Sequence, residues 1–505
     1  MTQISLFDGD TPLKITKPIR LIELFAGYGS QSLALKYLKV PFEHWKICEW
    51  AVKSIQAYKD LHFGDDTCDY SKAYSVDELI EMLLAKGISA DYNAPMTREQ
   101  IKRMGEQKIR TVYNNIIATN NLVSVCNATA NDLEITDTDK YTYIMTYSFP
   151  CQDLSKAGNG AGMAKGSGTR SGMLWEVERI LDECNGNLPQ ILLMENVPDV
   201  IGANNVKHFA QWVKKLEQLG YTSKWQCLNA KDYGVPQNRD RCFMVSWLGN
   251  HYYDFPTPIK LEKQLKDVLE TNVDEKYYLS SDIIKYFEKH TQESIEKGNG
   301  FRFSPTDGDV VGKAITTRAR GRMDDNFIKC ECIGMLGGEK YEKMHDIARR
   351  IYDTNGITPT QTTCGGGNLE TKVVVVDGFN QSIRADQTCF GTITRNAGAD
   401  LKRNGQGIIE IVDEPLALDE QNGYIRQDGT VGTLTTDESS PKHNNRVVEN
   451  YRIRKLTPKE CGRLMGVRDD DIDKMSVNQS NSSLYHLFGD ALVTTVMGAI
   501  FKQMI

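Results

Sequence analysis

The chain has 505 residues, 40% apolar and 25% charged, the balance of a globular protein long enough for several domains. Its net charge of −7 argues against coating nucleic acid by bulk positive charge, though not against a locally basic cleft. No run approaches the roughly 20 apolar residues of a bilayer span, and the charged start from Met1 to Lys17 lacks a secretory core, so a cytoplasmic location without membrane contact is expected.

In chain order, residues 1–18 read as a flexible tail. Residues 19–25 form an apolar run that predicts a buried strand, followed by a glycine turn and a helix over 30–38. A second strand over 45–49 and a helix over 51–61 follow. Further strands are predicted at 122–125, 143–147 and 191–195, with amphipathic helices over 173–184 and 206–219. Such alternation predicts an α/β fold: a doubly wound, mostly parallel, Rossmann-like sheet in a domain over 19–255. The charged, partly helical stretch 64–121 interrupts it as an insertion.

After about residue 255 helical periodicity fades. A weak repeat appears: Ala314-Ile315-Thr316-Thr317, Pro359-Thr360-Gln361-Thr362-Thr363, Gly391-Thr392-Ile393-Thr394 and Gly432-Thr433-Leu434-Thr435-Thr436. Polar stretches and β-prone runs such as 373–376 and 408–412 follow the copies. The pattern predicts repeated β-hairpins in a second, smaller β-rich domain over 256–450. Helical patterns return over 451–505. The twelve cysteines lack CxxC spacing, and Cys330 and Cys332 stand too close for a zinc pair, so free thiols and no metal site are expected.

Four short segments carry chemistry. Ile22-Glu23-Leu24-Phe25-Ala26-Gly27-Tyr28-Gly29-Ser30 joins a strand, a glycine turn and a helix start, where the backbone can approach a ligand and offer free N–H groups. Glu49 ends the second strand, placed to accept hydrogen bonds from two ribose hydroxyls. The turn lacks the third glycine of the dinucleotide fingerprint, so a nucleoside site and a structural turn both remain open, and a nicotinamide oxidoreductase would fit too. In Ser148-Phe149-Pro150-Cys151-Gln152 a cysteine at a strand end is placed for nucleophilic attack, although a buried thiol is the commoner fate of the residue. Leu193-Met194-Glu195-Asn196-Val197-Pro198 puts a carboxylate at another strand end, on the ligand-binding edge if the strands are parallel; a salt-bridged glutamate is the alternative. Gln237-Asn238-Arg239-Asp240-Arg241 precedes a strand over 242–248, and its alternation sends both arginines to one face.

Together these motifs resemble, in order, those of the cytosine carbon-5 DNA methyltransferases of bacteria and phages. Arg454-Lys455-Leu456-Thr457-Pro458-Lys459-Glu460, Arg463-Leu464-Met465-Gly466 and Gly489-Asp490-Ala491-Leu492-Val493 extend the resemblance to the end of the chain. Departures are Glu23 where the family has Asp, Ser30 where it has Gly, and Asp490 where it has Asn.

The resemblance implies methyl transfer from S-adenosyl-L-methionine to carbon 5 of a cytosine flipped out of double-stranded DNA, flipping that costs roughly a few kcal/mol. It implies Cys151 as the nucleophile on carbon 6, with Arg241 nearby to favour the thiolate. Glu195 would be the acid at ring nitrogen 3, with a pKa raised by burial, and Arg239 and Arg241 would hold the base carbonyl and a phosphate. Around the cofactor it implies Phe25, Ala26, Gly27 and Gly29 in the turn, with Glu49 and Trp50 after the second strand. Pro150, Leu174 with its neighbour Trp175, and the pair Asp490 and Ala491 complete that set, and Asp132 is taken for the adenine edge. Residues 159–172 match the family's closing loop, and the Thr-rich repeats match its target-recognition region. A monomer is expected, in a restriction–modification, orphan or phage-protective setting, with a cognate endonuclease as an optional partner. An RNA methyltransferase of the same family is the alternative, which the long repeat region disfavours. A catalytically dead DNA-binding paralogue is opposed by the intact Cys151 and Glu195.

Overall fold

The computed structural model describes residues 11–150, 154, 162–166, 170–271, 273–298, 302–317, 322–331 and 451–505, with short strands between 334 and 447. The chain forms two compact units. One comprises Met1–Gln264, Val311–Arg320 and Pro458–Ile505; the other comprises Leu265–Val310 and Gly321–Thr457.

The first unit is built on six strands: β1 (Ile19–Leu24), β2 (Phe42–Cys48), β3 (Thr142–Tyr147), β4 (Ile191–Asn196), β5 (Tyr221–Asn229) and β6 (Asp240–Leu248). Their order is β2-β1-β3-β4-β6-β5. β1 runs parallel to β2 and β3, and β3 to β4, while β6 runs antiparallel to both neighbours. The result is a mixed, mostly parallel sheet, as the strand–helix alternation predicts. Every residue of β3 and β4 is buried, as expected of central strands covered on both faces.

The helices around this sheet are α1 (Ser30–Tyr37), α2 (Val52–His62), α3 (Val76–Lys86), α4 (Arg98–Arg103), α5 (Glu106–Ala118), α6 (Leu174–Glu183) and α7 (Val206–Gln218). Near the chain end follow α8 (Pro458–Leu464), α9 (Asp469–Ser476), α10 (Asn481–Asp490) and α11 (Thr494–Lys502). α7 shows why the pattern works: Phe209, Trp212, Val213 and Leu216 recur at helical spacing and are buried. The Trp212 indole N–H also donates to the Tyr147 hydroxyl (3.1 Å). Truncating such a side chain costs about 3–5 kcal/mol.

The insertion folds as α3, α4 and α5. Ser75 with Glu78, and Thr97 with Gln100, form capping boxes that start the first two. Leu79, Leu83, Ile101, Ile109 and Ile116 share a core with Val52 and Ile55 of α2.

Three expectations need correction. Residues 122–125 are not a strand: only the single bridge Ile47↔Asn121 reaches the sheet there, and the chain then turns away. The tail is tied down from Thr11 onward, since Thr11–Pro12 pairs with His251–Tyr252 and the Ile15 N–H donates to the Met504 carbonyl (2.6 Å). The first Thr-rich copy belongs to the first unit, where Gly312–Lys313 pairs with Gln237–Asn238; the other three copies lie outside the described residues. One stretch, Asn481–Lys502, is long and apolar enough to cross a bilayer, yet it breaks into α10 and α11 and its apolar window is 72% buried.

In the second unit, Phe327–Glu331 pairs antiparallel with Tyr451–Lys455, and Leu279, Phe287, Phe327 and Ile453 form a small core. The helix Ser281–Glu296 supplies Phe287.

Candidate active site

The chain leaves β1, forms β2 on one side, and returns to β3 on the other side of β1. Connections at the carboxyl edge therefore diverge at β1 and β3, which opens a crevice there. The glycine turn sits at this edge. Phe25, Gly27 and Gly29 all have positive φ (60°, 56° and 82°). At Gly29 a Cβ would stand 2.5 Å from His62 Nε2 and 2.6 Å from the Tyr58 ring, so only glycine fits. At Gly27 a Cβ would meet nothing within 4 Å: this side of the turn is open, as a bound nucleoside requires.

Glu49 organises the turn. One carboxylate oxygen accepts the Gly27 N–H (2.9 Å) and the other the Ala51 N–H (2.7 Å). Burial pushes its pKa up to about 7, against the pull of those N–H donors, and the Asp490 carboxylate adds to the rise. Asn121, at the end of the insertion, clamps the Glu49 backbone by accepting its N–H (3.1 Å) and donating to its carbonyl (2.9 Å). Beneath the turn the buried Glu23 carboxylate accepts from the Ser32 N–H (3.2 Å) and the Tyr58 hydroxyl (2.6 Å), and burial raises its pKa. The longer glutamate thus reaches the first turn of α1 and is fully engaged there.

The other cofactor candidates scatter in character. Ala26 is buried beside Cys48, whose carbonyl accepts its N–H (3.1 Å). Trp50 is half-buried against the insertion core. The Pro150 carbonyl accepts the Ser171 hydroxyl (2.8 Å). Leu174 is fully buried in the main core, while the Trp175 indole N–H donates to the Met163 carbonyl (2.8 Å). Asp490 is exposed at the end of α10, and Ala491 follows it. Asp132 is exposed and accepts from the Thr129 N–H (2.8 Å) and hydroxyl (2.7 Å), which makes it the capping-box partner of Thr129, the N-cap of the short helix Ala130–Leu133.

Farther along the same edge stands Glu195, 5% exposed. The Ser148 hydroxyl donates to one of its oxygens, and Arg241 Nε lies 3.1 Å from the other. The Asn196 amide donates to the Phe149 carbonyl (2.9 Å), so the ends of β3 and β4 are cross-tied just before Pro150. Arg241 reaches this edge because β6 is antiparallel: its first residues pair with the last of β4, Asn196 opposite Cys242. Cys151 lies outside the described residues, as do 159–161 and 167–169.

The two arginines have different surroundings. Arg239 is 4% exposed, and its terminal nitrogens donate to the carbonyls of Ile315 (2.8 Å), Gly489 (3.1 Å) and Ala491 (2.9 Å). Gln237 works alongside, donating to the Leu464 carbonyl (2.8 Å) and accepting the Ile315 N–H (3.0 Å). Gly489 permits this approach, since a Cβ there would stand 2.3 Å from the Thr316 and Thr317 backbone. Arg239 therefore braces two segments, 311–317 and the end of α10, against its own, while Arg241 faces the carboxylate. Asn196, Ser148 and Gln237 stood in the motifs without an assigned role; Asn121 carried no signal beyond closing the insertion.

The edge can thus hold a nucleoside at one end and grip a polar ring with a carboxylate–guanidinium pair at the other. Comparisons with known proteins identify the family. Residues 93–505 match the family described as C-5 cytosine-specific DNA methylase. The orphan methyltransferase M.SssI of Spiroplasma monobiae is 38% identical over 299 residues, 57% of this chain and 75% of its own length. The type II methyltransferase M2.ScrFI of Lactococcus lactis subsp. cremoris is 28% identical over 490 residues, 96% of this chain and 99% of its own. The orphan methyltransferase M.Rho11sI of Bacillus phage rho11s is 26% identical over 428 residues, 70% and 83% of the two chains. A glycine turn, a strand-end carboxylate and matching relatives along nearly the whole length place the chain in one family: it is a C-5 cytosine-specific DNA methyltransferase that uses S-adenosylmethionine.

Proposed function

We propose that this protein methylates cytosine in double-stranded DNA through a covalent adduct at Cys151, as a cytoplasmic monomer that acts with or without a cognate endonuclease. The observation that carries the reading is the Ser148–Glu195–Arg241 cluster at the strand ends that lead to Pro150 and Cys151. S-adenosylmethionine supplies a methyl group activated on sulfonium. Its nucleoside is held by the open turn at Gly27, by Glu49 and Trp50, and by Asp490 and Ala491.

Cys151 adds as thiolate to carbon 6 of the flipped base, which makes carbon 5 able to accept the methyl group. Glu195, steadied by Ser148 and Arg241, hydrogen-bonds ring nitrogen 3 and delivers a proton there as the adduct forms. Arg241 reaches the base carbonyl, and Arg239 acts as a positioning residue through the Ile315, Gly489 and Ala491 carbonyls. Loss of the carbon-5 proton then expels the Cys151 sulfur. The Thr-rich stretch within 256–450 reads the target sequence.

A duplex carrying 5-fluorocytosine at the target tests the route. Fluorine cannot leave as a cation, so the enzyme should stay attached to DNA through denaturing electrophoresis, only with S-adenosylmethionine present and not in Cys151→Ser. Methylation of ordinary DNA with no trapped adduct would rule out the covalent route. Activity on RNA but not on duplex DNA would favour the RNA branch of the family.

A further inference from the structure

The insertion has no part in the chemistry described so far, yet one of its loops reaches the cofactor end of the edge. Between α3 and α4 the chain passes through Ser89 to Pro95. The Ser89 N–H donates to the Trp50 carbonyl (2.7 Å), and its own carbonyl accepts the Val52 N–H (2.9 Å). Ser89 thereby forms a parallel bridge to Ala51, alongside the turn that bears Glu49. The Ser89 hydroxyl closes the loop on itself, donating to the Ala94 carbonyl (2.8 Å) and accepting the Tyr92 N–H (3.1 Å).

This folding aims Tyr92. The residue has φ 64°, a conformation that bulky side chains rarely adopt. Its ring stacks on His486 of α10, with centroids 4.2 Å apart and planes 12° apart. Its hydroxyl is 2.8 Å from the hydroxyl of Ser54 in the first turn of α2. His486 precedes Asp490 by about one helical turn. Burial and the fields of the Glu49 and Asp490 carboxylates push the Tyr92 hydroxyl well above its ordinary pKa.

We propose that the loop from Ser89 to Pro95 walls the cofactor pocket, and that Tyr92 is a positioning residue that ties the Glu49–Trp50 turn to the α10 end bearing Asp490 and Ala491. The inference rests on the reading of those four residues as cofactor contacts. An aromatic stack between two segments fixes their spacing, and S-adenosylmethionine must touch both. Removing the ring lets the segments move apart, which weakens cofactor binding and leaves the cysteine chemistry intact once the pocket is filled.

The test titrates S-adenosylmethionine into full-length protein by calorimetry and measures kcat and KM for the cofactor. Tyr92→Leu should weaken cofactor binding about tenfold, the scale of a lost aromatic stack, through KM and with kcat changed by less than about threefold. His486→Ala removes the same stack from the other side and should give the same split, which covers the case where Tyr92→Leu folds poorly. Tyr92→Phe keeps the stack and should retain nearly full affinity. Ile109→Ala, in the insertion core away from the loop, lowers stability without touching the pocket and should bind as the unsubstituted protein does. Equal weakening in Ile109→Ala and Tyr92→Leu would reduce Tyr92 to a stability role and overturn the proposal. Normal affinity in both Tyr92→Leu and His486→Ala, with binding lost in Glu49→Ala, would overturn it while leaving the cofactor site in place. Unchanged binding in Glu49→Ala would overturn the cofactor-site reading itself, and this inference with it.

Discussion

Two carboxylates stand at the same sheet edge with nearly equal burial, Glu49 at 6% and Glu195 at 5% exposure, and their neighbours make them different groups. Glu49 is held by backbone N–H donors from Gly27 and Ala51 and has Asp490 nearby, so burial dominates and its pKa rises to about 7. Glu195 has a guanidinium on one oxygen and the Ser148 hydroxyl on the other. The first shapes a backbone turn; the second presents a charge-assisted, hydrogen-bonded carboxyl to whatever enters the edge. Burial alone therefore does not say what a strand-end glutamate does. The partners supplied by other strands do.

The sharpest way to break this contrast is Glu195→Gln. The amide keeps the size and can still bond Arg241 or Ser148 in part, but it cannot deliver a proton to the base. Methyl transfer should fall roughly 10²–10⁴-fold with cofactor affinity retained. A loss below about tenfold in single-turnover rate would make Glu195 a structural partner of Arg241.

Glu49 is tested by pH. Its folded pKa of about 7 lies above its ordinary value of 4.5, so the folded state holds this proton more tightly. Its contribution to stability is full below about pH 4.5 and is lost as pH rises through about 7. Without cofactor, the loss should amount to on the order of 3 kcal/mol across that window and should flatten in Glu49→Gln. Chemical denaturation at pH 5, 6, 7 and 8 measures it; parallel profiles for the two proteins would mean that Glu49 is ionised throughout.

The arginines extend the contrast. Arg239→Lys loses the fork that serves three carbonyls and should destabilise the protein by about 2 kcal/mol. Arg241→Lys keeps a cation beside Glu195, so it should change stability by less than about 1 kcal/mol while lowering kcat/KM about tenfold or more. Denaturation midpoints and initial rates, measured on both variants, separate brace from site residue. Swapped outcomes would reverse the two assignments.

Asp132→Ala should show the smallest effect. As the capping-box partner of Thr129 in a four-residue helix, its loss should cost about 0.5–1 kcal/mol and leave S-adenosylmethionine affinity within about twofold. A tenfold or greater loss of affinity would instead support the adenine-edge contact expected from its position.

Much of this was legible beforehand because one physical signal governed each piece. Apolar runs over 19–25, 143–147 and 191–195 announce strands, since a strand covered on both faces has no polar side to show. The face of α7 is equally plain from its spacing. Residues 122–125 misled because a short apolar run can be buried without pairing: Val123 and Val125 are buried, and only Asn121 bridges Ile47. The Thr-rich copy at 314–317 misled for a related reason: its sequence looks like its repeats, but Ile315 is held by Gln237 and Arg239.

By itself the sequence determined the family, the order of the motifs and the residue types available for chemistry, because these are local and linear. It could not divide labour between Arg239 and Arg241, which stand two positions apart on an alternating pattern. That division depends on α10 and the 311–317 segment arriving beside Arg239, and on antiparallel β6 bringing Arg241 to the end of β4. Nor could it make Tyr92 a neighbour of His486, nearly four hundred residues away in the chain, since only the packing of the insertion against α2 and α10 brings the two rings together. Hydrogen bonds and ring stacks act over a few ångströms, so partners distant in sequence become decisive only once the fold has closed that gap.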